Sequence, residues 1–199
     1  SIFHKIGTYA RAGFISRVHN IPFEEFKEKL FKPLEYIVFD KREYSINDFV
    51  YLTRNRMIAE IIFEKVLTSP QDRFDEYVRI INNLNIDYQS DRKAFLEVVN
   101  ARKLIEIFPD PQMIRHLYQL AESISSDDPK LFQQQAIFEM NSKGGSISSA
   151  ERHLKEANEL VEDDPLISHT YAELLLKKAE TSVLDPEFFS QITKVIDIC

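Results

Sequence analysis

The chain has 199 residues, of which 44% are apolar and 29% charged, and a formal net charge of -7. That length allows one sizeable domain or two small ones with enough apolar content to bury a core. The acidity disfavours general attraction to nucleic acid or anionic lipid, no apolar run approaches the roughly 20 residues that span a bilayer, and the single cysteine, Cys199, excludes a disulfide framework or a cysteine zinc site.

Four glycines and eight prolines are few helix breakers for this length. Long helices are therefore expected rather than a many-turned sandwich or barrel. Composition points to a soluble, cytoplasmic, mainly α protein, and Ser1 in place of Met suggests a processed or trimmed chain.

In chain order, Phe3 to Ala12 reads as a short helix ended by Gly13. A second helix follows Pro22, with Phe23, Phe26, Leu30 and Phe31 as its apolar stripe and Pro33 as its stop. Tyr36 to Phe39 and Asp48 to Leu52 are β-branched and aromatic runs, read as a hairpin with the charged segment Asp40 to Glu43 at its turn. From Arg54 the period becomes helical, with Met57, Ile58, Ile61, Ile62 and Val66 on one face and Glu60, Glu64 and Lys65 on the other. Ser69-Pro70 starts the next helix. Asn82 to Asn85 breaks it, and Ser90 is expected to cap a helix that carries Phe95, Leu96, Val99, Leu104, Ile107 and Phe108. Pro109 and Pro111 bracket a turn. Helices then run onward with breaks near Asp127 to Pro129, Gly144-Gly145, Asp163 to Pro165 and Asp185-Pro186.

The second half repeats itself. Ala121-x-x-Ile124-x-x-Asp127-Asp128-Pro129-x-Leu131 recurs 36 residues later as Ala157-x-x-Leu160-x-x-Asp163-Asp164-Pro165-x-Ile167, and Ala136 pairs with Ala172 at the same offset. A period of about 34 residues with two helices per unit marks tetratricopeptide-type repeats. Ala150-x-x-x-Leu154-x-x-Ala157 resembles that family's second helix, in which alanines let helices approach closely and the larger residue fills the gap. Gln134, Phe138 and Asn141 depart from the pattern of the first helix. Asp-Asp-Pro is also simply an efficient way to stop one helix and start another. Two units fall short of the roughly three that a free-standing array needs, so they would lean on the helices before them.

The motifs of catalysis are missing: there is no G-x-x-x-x-G-K-S/T phosphate loop, no H-E-x-x-H and no G-x-S-x-G. Gly144-Gly145 reads as a helix connection, His116, His153 and His169 as scattered helix residues, and the paired aspartates as turns and caps. No catalytic residue, metal ligand or cofactor is expected. The densest basic feature is Arg54-Asn55-Arg56, with Lys41 and Arg42 at the expected hairpin turn. It is open to three readings: solvated charge, a phosphate contact, or contact with another domain.

The order of helix, helix, hairpin and helix in the first 67 residues resembles a winged helix. Tyr51-Leu52-Thr53-Arg54-Asn55-Arg56-Met57-Ile58-Ala59-Glu60-Ile61-Ile62-Phe63 is similar to a stretch of STAND NTPases, the signal-transduction ATPases with numerous domains. In many bacterial members Tyr-x-Thr-Arg-His-x-x-Ile-Ala-Glu closes the winged helix and helical repeats follow. The resemblance extends to Ala136 and His169-Thr170-Tyr171-Ala172-Glu173. It implies a winged-helix-like domain over residues 1–68 and a repeat domain over 69–199, downstream of an ATPase core and commonly serving defence against phage. In that group a His often reaches the phosphates of bound ADP. Asn55 stands at its place here, so Arg54 and Arg56 become the nucleotide- or domain-contact candidates.

The function expected is thus a non-catalytic regulatory and protein-interaction segment whose partner is its own ATPase domain. One alternative is a free-standing adaptor that binds a peptide or helix on its repeats. Another is a winged-helix DNA binder, against which the net acidity argues.

Overall fold

The computed structural model describes residues 1–45 and 47–181. Among them the protein is mainly helical with one small antiparallel sheet, the fold class expected from the sequence. No described helix is long and apolar enough to cross a membrane. The expected break at Asp185-Pro186 lies outside the described residues.

The chain divides into two compact units, the first being Ser1–Lys103 and the second beginning at Leu104. The sequence resemblance implies a boundary after residue 68, and the compact units divide at Lys103 instead. In the structure the helices at 70–98 belong with the sheet, because Asp91 is bonded to Arg11 and Arg17 across 80 and 74 residues of chain.

In the first unit, α1 (Ile2–Lys5) is followed by β1 (Ala10–Arg11) and α2 (Ala12–His19). One expected helix over residues 3–12 is thus two elements. The turn between α1 and β1 passes through Gly7 at φ 77°, a backbone region open to glycine. Gly13 does not end a helix; α2 runs through it. The segment after Pro22 is irregular, with a 3-10 turn at Phe23–Glu25, a π turn at Lys27–Phe31 and α3 (Lys32–Leu34). Pro33 sits inside this run instead of stopping it. The wider π turn lies next to the place where proline's missing N–H would interrupt the regular ladder.

Strands β2 (Val38–Glu43) and β3 (Asp48–Thr53) form the hairpin, in register from Val38 opposite Thr53 to Glu43 opposite Asp48. Lys41 and Arg42 are therefore strand residues, opposite Val50 and Phe49, and not part of the turn. The two-residue β1 adds to the other edge of β3, with Ala10 opposite Tyr51, so the sheet order is β1-β3-β2. Helix, strand, helices and hairpin with β3 central give a winged-helix-like arrangement. Phe26 and Phe31 meet the Tyr51 ring edge-on at 4.8 and 5.2 Å.

Helix α4 (Arg56–Val66) buries Ala59 and Phe63, one turn apart, with Ile58 and Ile62 half-buried beside them. The expected stripe was broader than the face the unit covers, and Met57, Ile61 and Val66 remain exposed. In α5 (Pro70–Asn83) Ser69 and Asp72 form a reciprocal capping box. Next, α6 (Gln89–Val98) starts one residue before Ser90, which makes no cap bond. A single helix was expected onward, but Asn100 begins α7 (Ala101–Ile107) by accepting from the Lys103 N–H.

The second unit contains α8 (Pro111–Ile124), α9 (Pro129–Asn141), α10 (Ile147–Leu160) and α11 (Pro165–Thr181). Three of them start alike: Asp110, Asp128 and Asp164 accept from backbone N–H groups two residues on, and proline follows at the first helical position. Asp caps satisfy donors the helix cannot, and proline has none to lose. Helix α9 packs on α8, α10 and also α11, two elements along, as stacked helical repeats do.

Candidate functional site

Arg54, Asn55 and Arg56 prove to have three different local tasks. Arg54 joins the hairpin to the segment before it: its N–H donates to the Ile37 carbonyl at 2.8 Å and its Nε to the Glu35 carbonyl at 3.0 Å. Asn55 is the N-cap of α4, its Oδ1 accepting from the Met57 N–H at 2.7 Å. That side-chain oxygen supplies one of the acceptors that the first N–H groups of a helix lack. Arg56 is exposed and pairs with Glu60 at 2.8 Å, one turn along the same helix. Such exposed pairs contribute about 0–1 kcal/mol.

Beside these residues the surface is apolar. Met57 and Ile61, at 65% and 53% exposure, lie one helical turn apart on α4. Tyr36 is exposed next to the Glu35 carbonyl that Arg54 holds. Arg56 thus precedes an uncovered pair of large apolar side chains on the same helix; contiguous exposed apolar surface marks an interaction surface more often than a solvated one.

All six repeat-packing residues singled out from the sequence are buried: Ala121, Ala136, Ala150, Leu154, Ala157 and Ala172. Ala136, Ala150, Leu154 and Ala157 share one apolar cluster with Met140, Ile167 and Leu174, and Phe132, Ile137, Ile147 and Tyr171 pack against it. In the two Asp-Asp-Pro segments the aspartate before proline starts a helix. Asp128 and Asp164 cap, and Asp163 takes a left-handed φ of 60°. Gly144-Gly145 connects α9 to α10. A Cβ on Gly145 would run into the Glu139 carbonyl at 2.0 Å, so the loop needs a residue without one.

Sequence reasoning missed the polar residues of α9. Glu139 is buried and held by Arg115 in a two-bond clasp of 2.9 and 3.2 Å, and it also accepts from the Ser146 N–H at 2.9 Å. Gln133 donates to the Leu166 carbonyl and to Thr170 Oγ1, both at 2.8 Å, fastening α9 to α11. Gln135 donates to Glu122. His153 stacks on Phe132 at 6.3 Å between ring centroids. Its Nε2 lies 3.2 Å from Nη2 of Arg152, which can only donate, so the imidazole proton sits on Nδ1, 3.4 Å from Glu156. Burial, and then the adjacent Arg152 charge, push the His153 pKa down.

The other cluster without a sequence signal is in the first unit. Asp91 is buried and accepts from Arg11 Nε at 2.7 Å, Arg11 Nη2 at 3.3 Å, Arg17 Nη2 at 2.6 Å and the Asn85 N–H at 3.1 Å. Arg17 Nε also donates to the Asn83 carbonyl at 2.9 Å. Among the described residues no group of three His, Cys, Asp or Glu side chains is placed to hold a metal ion.

These features define a mainly helical protein with a small sheet unit, a helical-repeat unit and, on α4, exposed apolar side chains beside a basic segment. No family model matches the chain, and no curated protein or solved structure matches it.

Proposed function

We propose that the chain is a non-catalytic regulatory and protein-interaction segment of a larger STAND-type signalling ATPase. The observation that carries this reading is the Met57–Ile61 stripe of α4, exposed beside Arg56 and Tyr36 at the end of a winged-helix-like unit. A protein neighbour, the ATPase domain of the intact protein, covers that stripe in one state and leaves it in another. The repeats bias the change by what they bind. With Asn55 as a cap and Arg54 as a clip, Arg56, held only by an exposed pair with Glu60, is the residue of the segment that reaches that neighbour.

The test is made on the intact protein. Ile61→Asp places a charge in the covered stripe and should shift nucleotide turnover, whereas the isolated chain should neither bind nor hydrolyse ATP. Turnover by the isolated chain, lost in Arg54→Ala, would contradict the proposal.

A free-standing adaptor is the second reading, favoured by the buried alanine packing of α8 to α11. It predicts that one partner is captured by the chain and lost when the helices beyond Asp110 are removed. DNA binding is disfavoured further by the segment after Pro22. Its Lys29 and Lys32 are paired with Glu25 and Glu28, which leaves little charge for phosphates.

A further inference from the structure

The first unit carries an open hollow of about 560 Å³ away from the Arg54–Arg56 segment, lined by the start of α2, the turn that follows it and Tyr88. Its charged wall is built by Asp91. That carboxylate takes Nε and Nη2 of Arg11 and Nη2 of Arg17, and the Asn83 carbonyl takes Arg17 Nε. Each guanidinium is fixed along one edge and keeps Nη1. Among the described residues neither Nη1 has a hydrogen-bond partner.

Both Nη1 groups converge on Gly13. A Cβ at that position would lie 2.8 Å from Nη1 of Arg11 and 3.8 Å from Nη1 of Arg17. Glycine thus leaves open the space that the two cations face. Their charge is not cancelled, since two guanidinium groups meet one carboxylate. Ser16, one turn along α2, lines the same hollow at 5% exposure, and its Oγ has no partner. A mid-helix serine ordinarily bonds a preceding carbonyl or faces water. This one does neither: its Oγ is enclosed and unpartnered at the edge of the hollow.

Two forked cations and a hydroxyl reaching one gap from different directions suit a tetrahedral oxyanion better than a planar carboxylate, which would occupy a single fork. The margin is aromatic. Arg11 stacks 3.9 Å from the centroid of the Tyr88 ring, and Tyr88 and Phe23 line the hollow at 52% and 64% exposure. We propose that this hollow binds an aromatic phosphomonoester, with its phosphate between Arg11, Arg17 and Ser16 over Gly13 and its ring against Tyr88 and Phe23.

Calorimetric titration of the whole chain with phenyl phosphate at low salt tests the proposal, with inorganic phosphate as the comparison. Saturable binding is expected, tighter for phenyl phosphate. Ser16→Ala removes a hydroxyl that holds no other bond and should weaken binding about tenfold, the loss of one hydrogen bond to a charged group. Gly13→Ala sets a methyl group against Arg11 Nη1 and should weaken it at least as much. Ser16→Ala leaves the bonds to Asp91 in place, and an unchanged unfolding midpoint in each variant confirms that the fold persists. Absence of saturation, or equal affinity in the wild type and both variants, overturns the proposal. Inorganic phosphate bound as tightly as phenyl phosphate overturns its aromatic part. Tighter binding of a phosphoserine peptide overturns the assignment to a small molecule.

Discussion

The two units of this protein organise their interiors by opposite means. In the first, a buried carboxylate, Asp91, gathers Arg11 from β1, Arg17 from α2 and the Asn85 N–H, so an ionic node fastens the sheet side to the helices that follow. In the second, alanines at Ala136, Ala150 and Ala157 let helices approach, with Leu154 filling the gap, and polar groups such as Glu139 fasten the edges. Close apolar packing tolerates loss of one side chain by leaving a cavity. A buried ionic node has no such relaxation, because removing its centre leaves charges unpaired.

Breaking the node should therefore produce the largest effect. Asp91→Ala leaves Arg11 and Arg17 without a counter-charge and should destabilise the first unit by about 3–5 kcal/mol. Chemical denaturation of the full chain should then show an early transition that belongs to residues 1–103. Leu154→Ala should cost the second unit about 2–5 kcal/mol through the cavity it leaves, with the first unit unchanged. Ala157→Leu tests the same packing from the other side. Overfilling the close approach should cost about 1–3 kcal/mol, and a neutral result would show that the helices are not held by small residues there.

Smaller changes sharpen the contrast. Asn55→Ala removes the α4 cap and should cost about 1 kcal/mol, whereas Arg56→Ala, which loses one exposed pair, should stay below about 0.5 kcal/mol. If the ranking inverted, Arg56 would have a structural task that its exposure hides.

In the second unit the pH response centres on His153. His153 has a folded pKa pushed below that of the unfolded chain, so the unfolded state takes up the proton first as pH falls. Stability is kept above the unfolded value near 6.5 and declines as pH drops from there toward the folded pKa. His153→Phe, which retains the ring stacked on Phe132, should flatten the melting temperature of the second unit between pH 7 and pH 5.

The same contrast explains what could be read in the sequence. The repeat was legible because its signal lies at a fixed offset of 36 residues, and each Asp-Pro step acts locally through a cap bond two residues on. The hairpin was legible from β-branched runs. Its turn was misplaced because Asp40 to Glu43 looks polar, yet those residues continue β2 along an edge whose side chains can stay wet. Strand β1, at two residues, has no periodicity to detect, and it pairs with Tyr51 and Val50 far along the chain. The Asp91 node joins residues up to 80 apart by charge alone, and neither Arg11 nor Arg17 stands out among 25 basic residues. Polar burial in α9 was equally hidden, since nothing in Gln133, Gln135 and Glu139 themselves shows that α11 and α8 cover them. The α4 stripe was legible as apolar but not as uncovered, because covering is a property of neighbours.

The proposed regulatory role in a larger protein requires an ATPase neighbour for the exposed face of α4. The most direct measurement is the mass of the native protein in source cells, by immunoblot with an antibody raised against the chain. The account predicts a band several times larger than 23.3 kDa, in a protein that binds ATP or ADP. A native band at 23.3 kDa, with no nucleotide-binding partner attached, would contradict it and leave the adaptor in its place.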